Sequence, residues 1–541
     1  MKQTILVFFF LFAGASAFAQ EINPTEQAII TQTKKFRSIL EIAVKNHKDS
    51  VDVKKVSEAA YKAMLNSMDP YSDYFTEEVY KNFKASYYKI VRTTGIDVSS
   101  IKDTLFVIYV KPHSPADSAG IVPGDRIIYL NGETAIGLNS KDAEEILTVS
   151  DSVVKPVNIV IKRYASPGLN EYFLMPKAMP IVSIPAYFIL PGTDIGYIKS
   201  KKFAEGADST FRLALKSLIK QGAKKIIFDL RGHQGGQVKE AADIADEFIP
   251  EGETITYIKG ENNHYYQKYI SEPNDIGEGM PLLVLVDKNT MSAAEIFVGA
   301  VQDLDKAIII GEGTYGKGMA QKTWSFKDGT AFRLTIGDYF TPTGRNIQKP
   351  HDKKNVELDP AMKLMLSDTS NREIKELLER YNWKNKIPVF KTPKGRIVFG
   401  GGGILPDYFV KEDTLTLLTR VLKGKGIFLE SVFQYLNSHK DELLDEYGSD
   451  YQKFNKNFTV TDKMLNDLEK VSRSRNIWNE KMFQMDKEYI RNFYKSLIAY
   501  FLWGNDGFYL VIANKDNIIQ KGIEYMPKAV ELINTTKEFN R

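Results

Sequence analysis

Three short segments hold residues whose types could carry out acyl transfer. Ser292 opens a helical pattern after the apolar run LVLVD, and Lys317 lies in the stretch GEGTYGKG after KAIII. A third apolar run, IIFDL, is followed shortly by Gly235 and Gly236. A serine hydroxyl is a weak nucleophile until a base removes its proton. The oxyanion that then forms needs preorganised N–H donors, for which the glycine pair and Ala293, each at a predicted helix start, are suited.

Lys317 can act as the base only when its amine is neutral, so its pKa must fall well below the reference of about 10.4. Burial without a carboxylate partner lowers the pKa of a lysine, because the charged form loses its hydration. The neighbours from Tyr315 to Met319 include no acid. Gln321, four residues on, is expected to direct the amine without charging it.

The stretch around Lys317 also resembles a phosphate-binding loop, G-x-x-x-x-G-K-[ST], but Gly318 stands where that loop needs Ser or Thr to hold magnesium. A phosphate-binding loop also opens a helix. The residues after Lys317 alternate instead and turn at Asp328-Gly329, which predicts a β-hairpin. The sequence therefore argues against phosphate binding.

Each of these features has a purely structural alternative. Ser292 and Glu295 form the pattern S-x-x-E of a capping box, which alone explains both residue types. Lys317 in a glycine-rich loop could simply be solvated, and the glycine pair could simply make a turn. His233 is a rival base, although no Asp-His-Ser arrangement can be recognised around it.

The elements around these segments predict an α/β fold. The apolar strands GYIKS, KKIIFDL, PLLVLVD and KAIII alternate with helices near 237–247 and 292–304, which indicates largely parallel pairing. Ligands of an open α/β sheet bind at the carboxyl ends of its strands. If the three strands are neighbours, the hydroxyl, the amine and the glycine N–H groups converge.

Composition excludes several classes of protein. The chain has 541 residues, 43% hydrophobic and 26% charged, as expected of a folded multidomain protein. A net charge of +4 is too small to indicate nucleic-acid binding. The absence of cysteine removes thiol nucleophiles, disulfides and thiolate metal sites, and the 6 histidines have no metal-ligand spacing.

The two ends of the chain differ from its middle. A basic start, a short apolar stretch and the ending Ala17-Phe18-Ala19 predict a signal peptide at 1–19 and an exported protein. No later segment is expected to be long and apolar enough to span a bilayer. Helices are predicted over 24–66 within an N-terminal region, 20–90. The region 413–541 is predicted to be mostly helical and carries no recognisable motif.

Seven segments, in order, are similar to those of the carboxyl-terminal processing peptidases, or tail-specific proteases. They are SMDPYSDYF (67–75), SPADSAGIVPGDRIIYLNG (114–132), IGYIKSKKFAEGA (195–207), NTMSAAEIFVGAVQD (289–303), GEGTYGKGMAQ (311–321), YFTPTGRNIQ (339–348) and GGGILPD (401–407). The resemblance covers about residues 60–410. It implies a ClpP/crotonase-like α/β protease core at 175–412 and an inserted PDZ domain at 91–165.

The resemblance also implies roles for individual residues. Ser292 would be the nucleophile, Lys317 the base and Gln321 the third catalytic residue. One departure concerns the oxyanion loop, because the family usually has Asn-Pro before the paired glycines and this chain has His233 and Gln234. Without the proline, the loop that presents the oxyanion donors is expected to be looser.

A PDZ domain adds an extended peptide to a sheet edge and captures its terminal carboxylate in backbone N–H groups. The segment TTGIDVS (93–99) occupies the place of that carboxylate loop, although an ordinary glycine turn is the alternative. An apolar C-terminal residue is the expected ligand. The predicted groove residues are Gly95, Ile96, Asp97, Val98, Ile146 and Leu147.

The sequence thus predicts an exported, most simply periplasmic, serine endopeptidase that recognises apolar C-terminal tails. No metal, nucleotide or organic cofactor and no nucleic acid is implied, and an adaptor is a conceivable partner. Two alternatives stay open. One is a PDZ-bearing chaperone or adaptor on an inactive protease fold, and the other is a crotonase-like acyl-CoA enzyme, which shares part of the sheet architecture.

Overall fold

The computed structural model describes residues 23–85, 90–149, 154–163, 166–261, 265–273, 276–349 and 388–539. The predicted signal peptide lies outside the described residues. The chain divides into two compact units, residues 1–74 and 75–541.

The first unit contains the predicted N-terminal helices, α1 (Pro24–Asn46) and α2 (Val53–Asn66). The side chain of Asn23 caps α1 by accepting the N–H of Thr25 at 2.9 Å. No residue of α1 is buried, so its apolar positions lie at the surface of this unit. The short strand β1 (Asp73–Phe75) follows.

The second unit starts with α3 (Glu77–Ala85) and continues into a small antiparallel sheet. The elements that follow α3 are β2 (Ile90–Thr93), β3 (Ile96–Ile101), β4 (Thr104–Val110), α4 (Pro115–Ser118), β5 (Arg126–Leu130), β6 (Glu133–Thr134), α5 (Ser140–Leu147), β7 (Thr148–Val149), β8 (Val157–Lys162), β9 (Asn170–Leu174) and β10 (Lys177–Pro180). The small sheet has the strand order β3-β4-β5-β8-β9, with β6 paired to β5, and β10-β2-β7 form a separate three-stranded sheet. Alternate residues of β8 point into a separate hydrophobic core, as expected of a sheet with one covered face.

A six-stranded sheet forms the centre of the second unit, in the order β11-β12-β13-β16-β17-β22. These strands are β11 (Ala186–Ile189), β12 (Ile195–Lys199), β13 (Lys225–Asp229), β16 (Leu282–Val286), β17 (Ala307–Gly311) and β22 (Tyr408–Phe409). Each pair of neighbouring strands from β12 to β22 is parallel. The predicted α/β fold is therefore confirmed, and β13, β16 and β17 are the neighbours that convergence of the three segments requires.

The remaining strands of the second unit are mostly antiparallel. They are β14 (Thr254–Lys259), β15 (Gln267–Ile270), β18 (Met319–Ser325), β19 (Ala331–Phe340), β20 (Val389–Lys391) and β21 (Ile397–Phe399). The pair β18–β19 is the hairpin predicted at Asp328-Gly329. Gly329 has φ +85°, a value that glycine adopts without strain.

Helices cover both faces of the central sheet, which explains why its strands are continuous apolar runs. One face packs against α6 (Ala207–Lys220), α7 (Val238–Asp246) and α8 (Ala293–Asp303). The other face packs against α14 (Asn517–Phe539), whose Ile518, Ile519 and Met526 share a hydrophobic cluster with residues of the strands. The C-terminal region thus contributes directly to the core of the sheet.

Five more helices precede α14 in the C-terminal region. They are α9 (Leu417–Gly424), α10 (Ile427–Tyr447), α11 (Tyr451–Asn457), α12 (Asp462–Arg473) and α13 (Glu480–Ala513). By length and composition α13 could cross a membrane, contrary to the expectation that no segment after the signal peptide could. However, 56% of its most apolar window is buried within the protein, as in the core helix of a folded domain.

Candidate active site

Ser292 stands between the end of β16 and the start of α8, in a strained backbone conformation. Its φ of 60° and ψ of −126° are rare for a residue with a side chain, and such strain persists only where the surroundings hold it. The N–H of Ser292 donates to Oε2 of Glu295 at 2.9 Å. One residue earlier, the N–H of Met291 donates to the carbonyl of His233 at 3.0 Å. Both bonds fix the turn that presents Ser292.

Glu295 is fully buried and joins the segments of Ser292 and Lys317. Its Oε2 accepts the N–H groups of Ser292 at 2.9 Å and Lys317 at 2.8 Å. Its Oε1 accepts the hydroxyl of Thr314 at 2.5 Å and the N–H of Gly316 at 2.7 Å. Burial raises the pKa of Glu295, although these hydrogen bonds act in the opposite direction. Glu295 accepts the N–H of Ser292 as a capping box requires, but its other three bonds go beyond capping.

The loop that carries Lys317 is tightly packed, which explains its glycines. A Cβ on Gly316 would lie 2.9 Å from Cβ of Lys349, and one on Gly318 would lie 2.8 Å from the backbone nitrogen of Gln348. Gly316 also has φ +87°, which disfavours a side chain. Close packing thus keeps the Lys317 backbone in place.

Burial lowers the pKa of Lys317 below its ordinary value, and the positive charge of Arg333 lowers it further. The negative charge of Glu295 acts in the opposite direction. The expectation that no acid is adjacent to Lys317 was therefore wrong, because Glu295, 22 positions earlier, contacts its backbone. Burial nevertheless has the largest effect, so the pKa shift has the direction that a lysine base needs.

Gln321 lies in β18, where the pairing register with β19 shifts between Ala320 and Gln321. Its Nε2 is buried and has no hydrogen-bond partner in the described part of the chain. Gln321 also lines a cavity of about 510 Å³ whose walls include Tyr265, Tyr269 and Tyr339. In this conformation Nε2 of Gln321 therefore does not orient the amine of Lys317.

The loop after β13 that carries Gly235 and Gly236, called the glycine loop below, lies directly against Ser292. A Cβ on Gly235 would lie 2.8 Å from Cβ of Ser292, and one on Gly236 would overlap the carbonyl oxygen of Phe203 at 2.1 Å. Only glycine fits at these two positions, where φ is +86° and +146°. The ends of β13 and β16 therefore converge, as was expected if these strands were neighbours.

The three predicted oxyanion donors are not equivalent. The N–H of Gly235 already donates to Nδ1 of His233 at 3.0 Å, which corrects the prediction that it is free to bind an oxyanion. The N–H groups of Gly236 and Ala293 have no acceptor among the residues described by the structure. The geometry thus favours Gly236 and Ala293.

His233 is buried beside Phe203, with ring centroids 4.2 Å apart. Burial lowers the pKa of His233 to about 3, and the charge of Lys199 acts in the same direction. Because Nδ1 accepts the N–H of Gly235, the proton of the neutral ring is on Nε2, which has no partner within the described residues. A ring with this pKa and an occupied Nδ1 is a poor general base, so His233 is not a rival to Lys317.

Several of the predicted PDZ groove residues are buried. Ile96, Val98 and Leu147 lie in the core of the small sheet, and their contact with a peptide stays a prediction. Ile146 is half-buried. Gly95 donates its N–H to Oγ1 of Thr93 at 3.1 Å, so this donor is occupied.

Asp97, the second residue of β3, faces charged residues. Its carboxylate forms an ion pair with Lys111 at 3.7 Å. Burial raises the pKa of Asp97, while the positive charges of Lys111 and Lys201 lower it.

Sequence reasoning missed the charged residues at the base of the glycine loop. Asp229 is buried and accepts the hydroxyl of Tyr197 at 2.7 Å and Nζ of Lys199 at 3.1 Å. Arg231 forms ion pairs with Asp229 and Asp516. The sequence feature that could have revealed them is the pair of charged residues, Asp229 and Arg231, at the end of the apolar run in IIFDLR.

Comparison with known proteins identifies the domains. Residues 194–359 match the family described as "Peptidase family S41", and residues 106–162 match the PDZ domain. Residues 418–504 match a family of unknown function, DUF8443.

Two relatives illustrate the likeness. The carboxy-terminal processing protease CtpA of Bacillus subtilis (strain 168) is 29% identical over 309 residues, which is 57% of this chain and 65% of the relative. A probable CtpA-like serine protease of Staphylococcus aureus (strain MSSA476) is 30% identical over 344 residues, which is 62% of this chain and 66% of the relative. The chain thus spans just under two thirds of the length of each.

One solved structure is titled "Photosystem II D1 C-terminal processing protease". It aligns with 58% of this chain and 83% of its own at 23% identity, with a TM-score of 0.35. The family matches and the two relatives agree with the order of motifs in the sequence. The chain therefore contains a domain of peptidase family S41 and a PDZ domain, and it is similar to the carboxy-terminal processing proteases.

Proposed function

We propose that this protein is a serine endopeptidase with Ser292 as nucleophile and Lys317 as general base. The observation that carries the proposal is the carboxylate of Glu295, which holds the backbones of Ser292 and Lys317 through one oxygen. The lowered pKa of Lys317 supports its role, because a neutral amine is needed to accept a proton.

The reaction follows from these positions. Oγ of Ser292 attacks the scissile carbonyl while Lys317 takes the hydroxyl proton, and the oxyanion receives the N–H groups of Ala293 and Gly236. Lys317 then gives the proton to the leaving amine as the C–N bond breaks, which leaves an ester on Ser292. Water, activated by Lys317, hydrolyses that ester and restores the hydroxyl.

Gln321 is proposed to orient the Lys317 amine in the substrate-bound state. Its buried Nε2, which has no partner among the residues that the structure describes, is available for that role. Catalytic hydrogen bonds are often longer or absent in a free enzyme and form with substrate.

The substrates are proposed to be polypeptides with apolar C-termini, held by the PDZ domain. Because Ile96 and Leu147 are buried, binding requires α5 to move away from β3. The composition of residues 1–19 supports export, and the periplasm is the proposed location.

Digestion of an unfolded protein tests the proposal. Purified protein lacking residues 1–19 is incubated with denatured casein, beside the variants Ser292→Ala and Lys317→Ala. We expect both variants to lose at least about 10³-fold in rate, since a dyad acts as a unit. Ser209→Ala and Lys220→Ala, at exposed positions of α6, are matched controls that should retain full activity. Activity that survives in Ser292→Ala would exclude the mechanism.

The second candidate is a PDZ-bearing binding protein on an inactive protease fold. The occupied N–H of Gly235 and the disengaged Nε2 of Gln321 favour it. It predicts that wild-type protein cleaves neither casein nor a fusion ending in apolar residues, yet still binds that fusion tail.

A further inference from the structure

The guanidinium of Arg231 lies between two carboxylates from distant parts of the chain. Its Nε and Nη2 donate to Asp229, with Nη2 2.6 Å from Oδ2. Its Nη1 donates to both oxygens of Asp516, at 3.0 and 2.9 Å. Asp516 lies 285 positions later, in the C-terminal helical region.

Arg231 lies two residues after the end of β13, at the start of the loop that carries Gly236. Its own N–H donates to Oδ1 of Asp229 at 2.9 Å, and its carbonyl accepts Nζ of Lys199 at 2.6 Å. Gly232 follows and donates its N–H to Oδ1 of Asp287 at 2.9 Å. The direction in which the loop leaves the sheet therefore depends on where the Arg231 side chain is held.

Asp516 is itself in a rigid setting. Its Oδ1 accepts the N–H groups of Ile518 and Ile519, both at 3.0 Å, and so caps the start of α14. Both isoleucines belong to the hydrophobic cluster that joins α14 to the central sheet. The contact with Arg231 thus connects the glycine loop to a helix packed under the same sheet.

The charges in this group balance. Arg231 and Lys199 supply two positive charges, and Asp229 and Asp516 supply two negative charges. The side chains of Arg231 and Asp516 are each only 16% exposed. Removal of one partner of such a pair leaves a poorly solvated charge, which then tends to move toward water.

We propose that Asp516 is a positioning residue, which holds Arg231 so that the glycine loop presents the N–H of Gly236 toward Ser292. The C-terminal helical region is then part of the catalytic unit. This inference rests on the proposed peptidase activity, in which Gly236 receives the oxyanion. Loss of the Asp516–Arg231 contact should weaken stabilisation of the transition state. It should therefore lower kcat rather than change KM.

Two substitutions separate the pairing of Asp516 from its capping role. Asp516→Asn and Asp516→Ser both keep a good helix-capping side chain but lose the charge that pairs with Arg231. Asn517→Ala is the matched control, because Asn517 begins the same helix yet bonds to the carbonyl of Lys411 at 2.8 Å. We expect kcat for casein to fall at least tenfold in both Asp516 variants with KM within twofold, and to stay at the wild-type value in Asn517→Ala.

Hydrogen exchange gives a second measurement that does not require activity. Backbone N–H groups of residues 230–237 should exchange faster in Asp516→Asn than in wild type and Asn517→Ala, while those of α8 stay unchanged. Wild-type kcat together with unchanged exchange in Asp516→Asn would overturn the inference. An inactive wild type whose loop still loosens in Asp516→Asn would refute the proposed peptidase activity and leave the positioning contact supported.

Discussion

The backbone N–H of Lys317 donates a hydrogen bond of 2.8 Å to Oε2 of Glu295. The same oxygen accepts the N–H of Ser292, so the candidate base and nucleophile share one anchor. A carboxylate beside a lysine base normally opposes its neutral form. Here it bonds to the backbone of Lys317, and burial still lowers the pKa of the amine.

Glu295→Gln should therefore impair both catalysis and stability. An amide has one acceptor oxygen, so either the pair Ser292 and Lys317 or the pair Thr314 and Gly316 would face an NH₂ group. We expect the peptidase rate to fall about 100-fold and the free energy of unfolding to fall by about 2–3 kcal/mol. Casein cleavage and urea unfolding measure the two effects.

Glu240→Gln is the matched control for that experiment. Glu240 is also buried, and its two oxygens accept the N–H groups of Gly206 and Asp208 at 3.1 and 3.0 Å. It should lose similar stability and keep its catalytic rate. Equal rate losses in Glu240→Gln and Glu295→Gln would show that Glu295 has only a structural role.

The pH dependence of activity should reveal Lys317. Because the neutral amine is the active form, kcat/KM should rise with pH through a pKa below the ordinary 10.5. Arg333→Met removes a charge that lowers this pKa, so the rising limb should move to higher pH. Arg333→Lys keeps the charge and should keep the limb. If the rising limb does not move in Arg333→Met, the limb reports the titration of a group other than Lys317.

Parts of this site could be predicted from the sequence. The apolar runs before Gly235, Ser292 and Lys317 predicted strands of one α/β sheet, and the condition that these strands be neighbours is met, because β13, β16 and β17 pair. The contact of the glycine loop with Ser292 follows from that order, because neighbouring parallel strands end at the same edge.

Other parts could not be predicted, because they depend on how loops pack. The bonds from Glu295 to Thr314, Gly316 and Lys317 cross between two loops, and no periodicity reports such contacts. The ion pair of Arg231 with Asp516 spans 285 positions. The bond from Gly235 to His233 is local, but it depends on the burial of the histidine ring.

His233 should make the protein less stable in acid. Its pKa is about 3 when folded and about 6.5 when unfolded, so the unfolded chain takes up a proton that the folded protein excludes. The stability contributed by the neutral ring is complete above pH 6.5 and is lost as pH falls toward 3, by about 5 kcal/mol at most. Urea unfolding between pH 4 and 8 should show a shallower decline in His233→Asn, whose side chain can still accept the N–H of Gly235.

His113→Asn is the control for the acid series. His113 is exposed and has φ +61°, a conformation that asparagine also adopts readily. Its pH profile of stability should match wild type. If His233→Asn also matches wild type, protonation of His233 does not limit stability in acid.

Gly504 should be intolerant of substitution, because it bends α13 against the PDZ domain. Its φ of 67° and ψ of −147° lie outside the helical region, and a Cβ there would lie 3.0 Å from the ring of Tyr109 in β4. Gly504→Ala should cost about 2–4 kcal/mol of unfolding free energy from backbone strain and the clash together. Gly424→Ala, where a Cβ meets no atom within 4 Å, should cost less than about 0.5 kcal/mol. Urea unfolding measures both, and limited proteolysis should cut between β4 and α4 faster in Gly504→Ala alone. Equal stability of the two variants would mean that α13 does not depend on this bend to contact the PDZ domain.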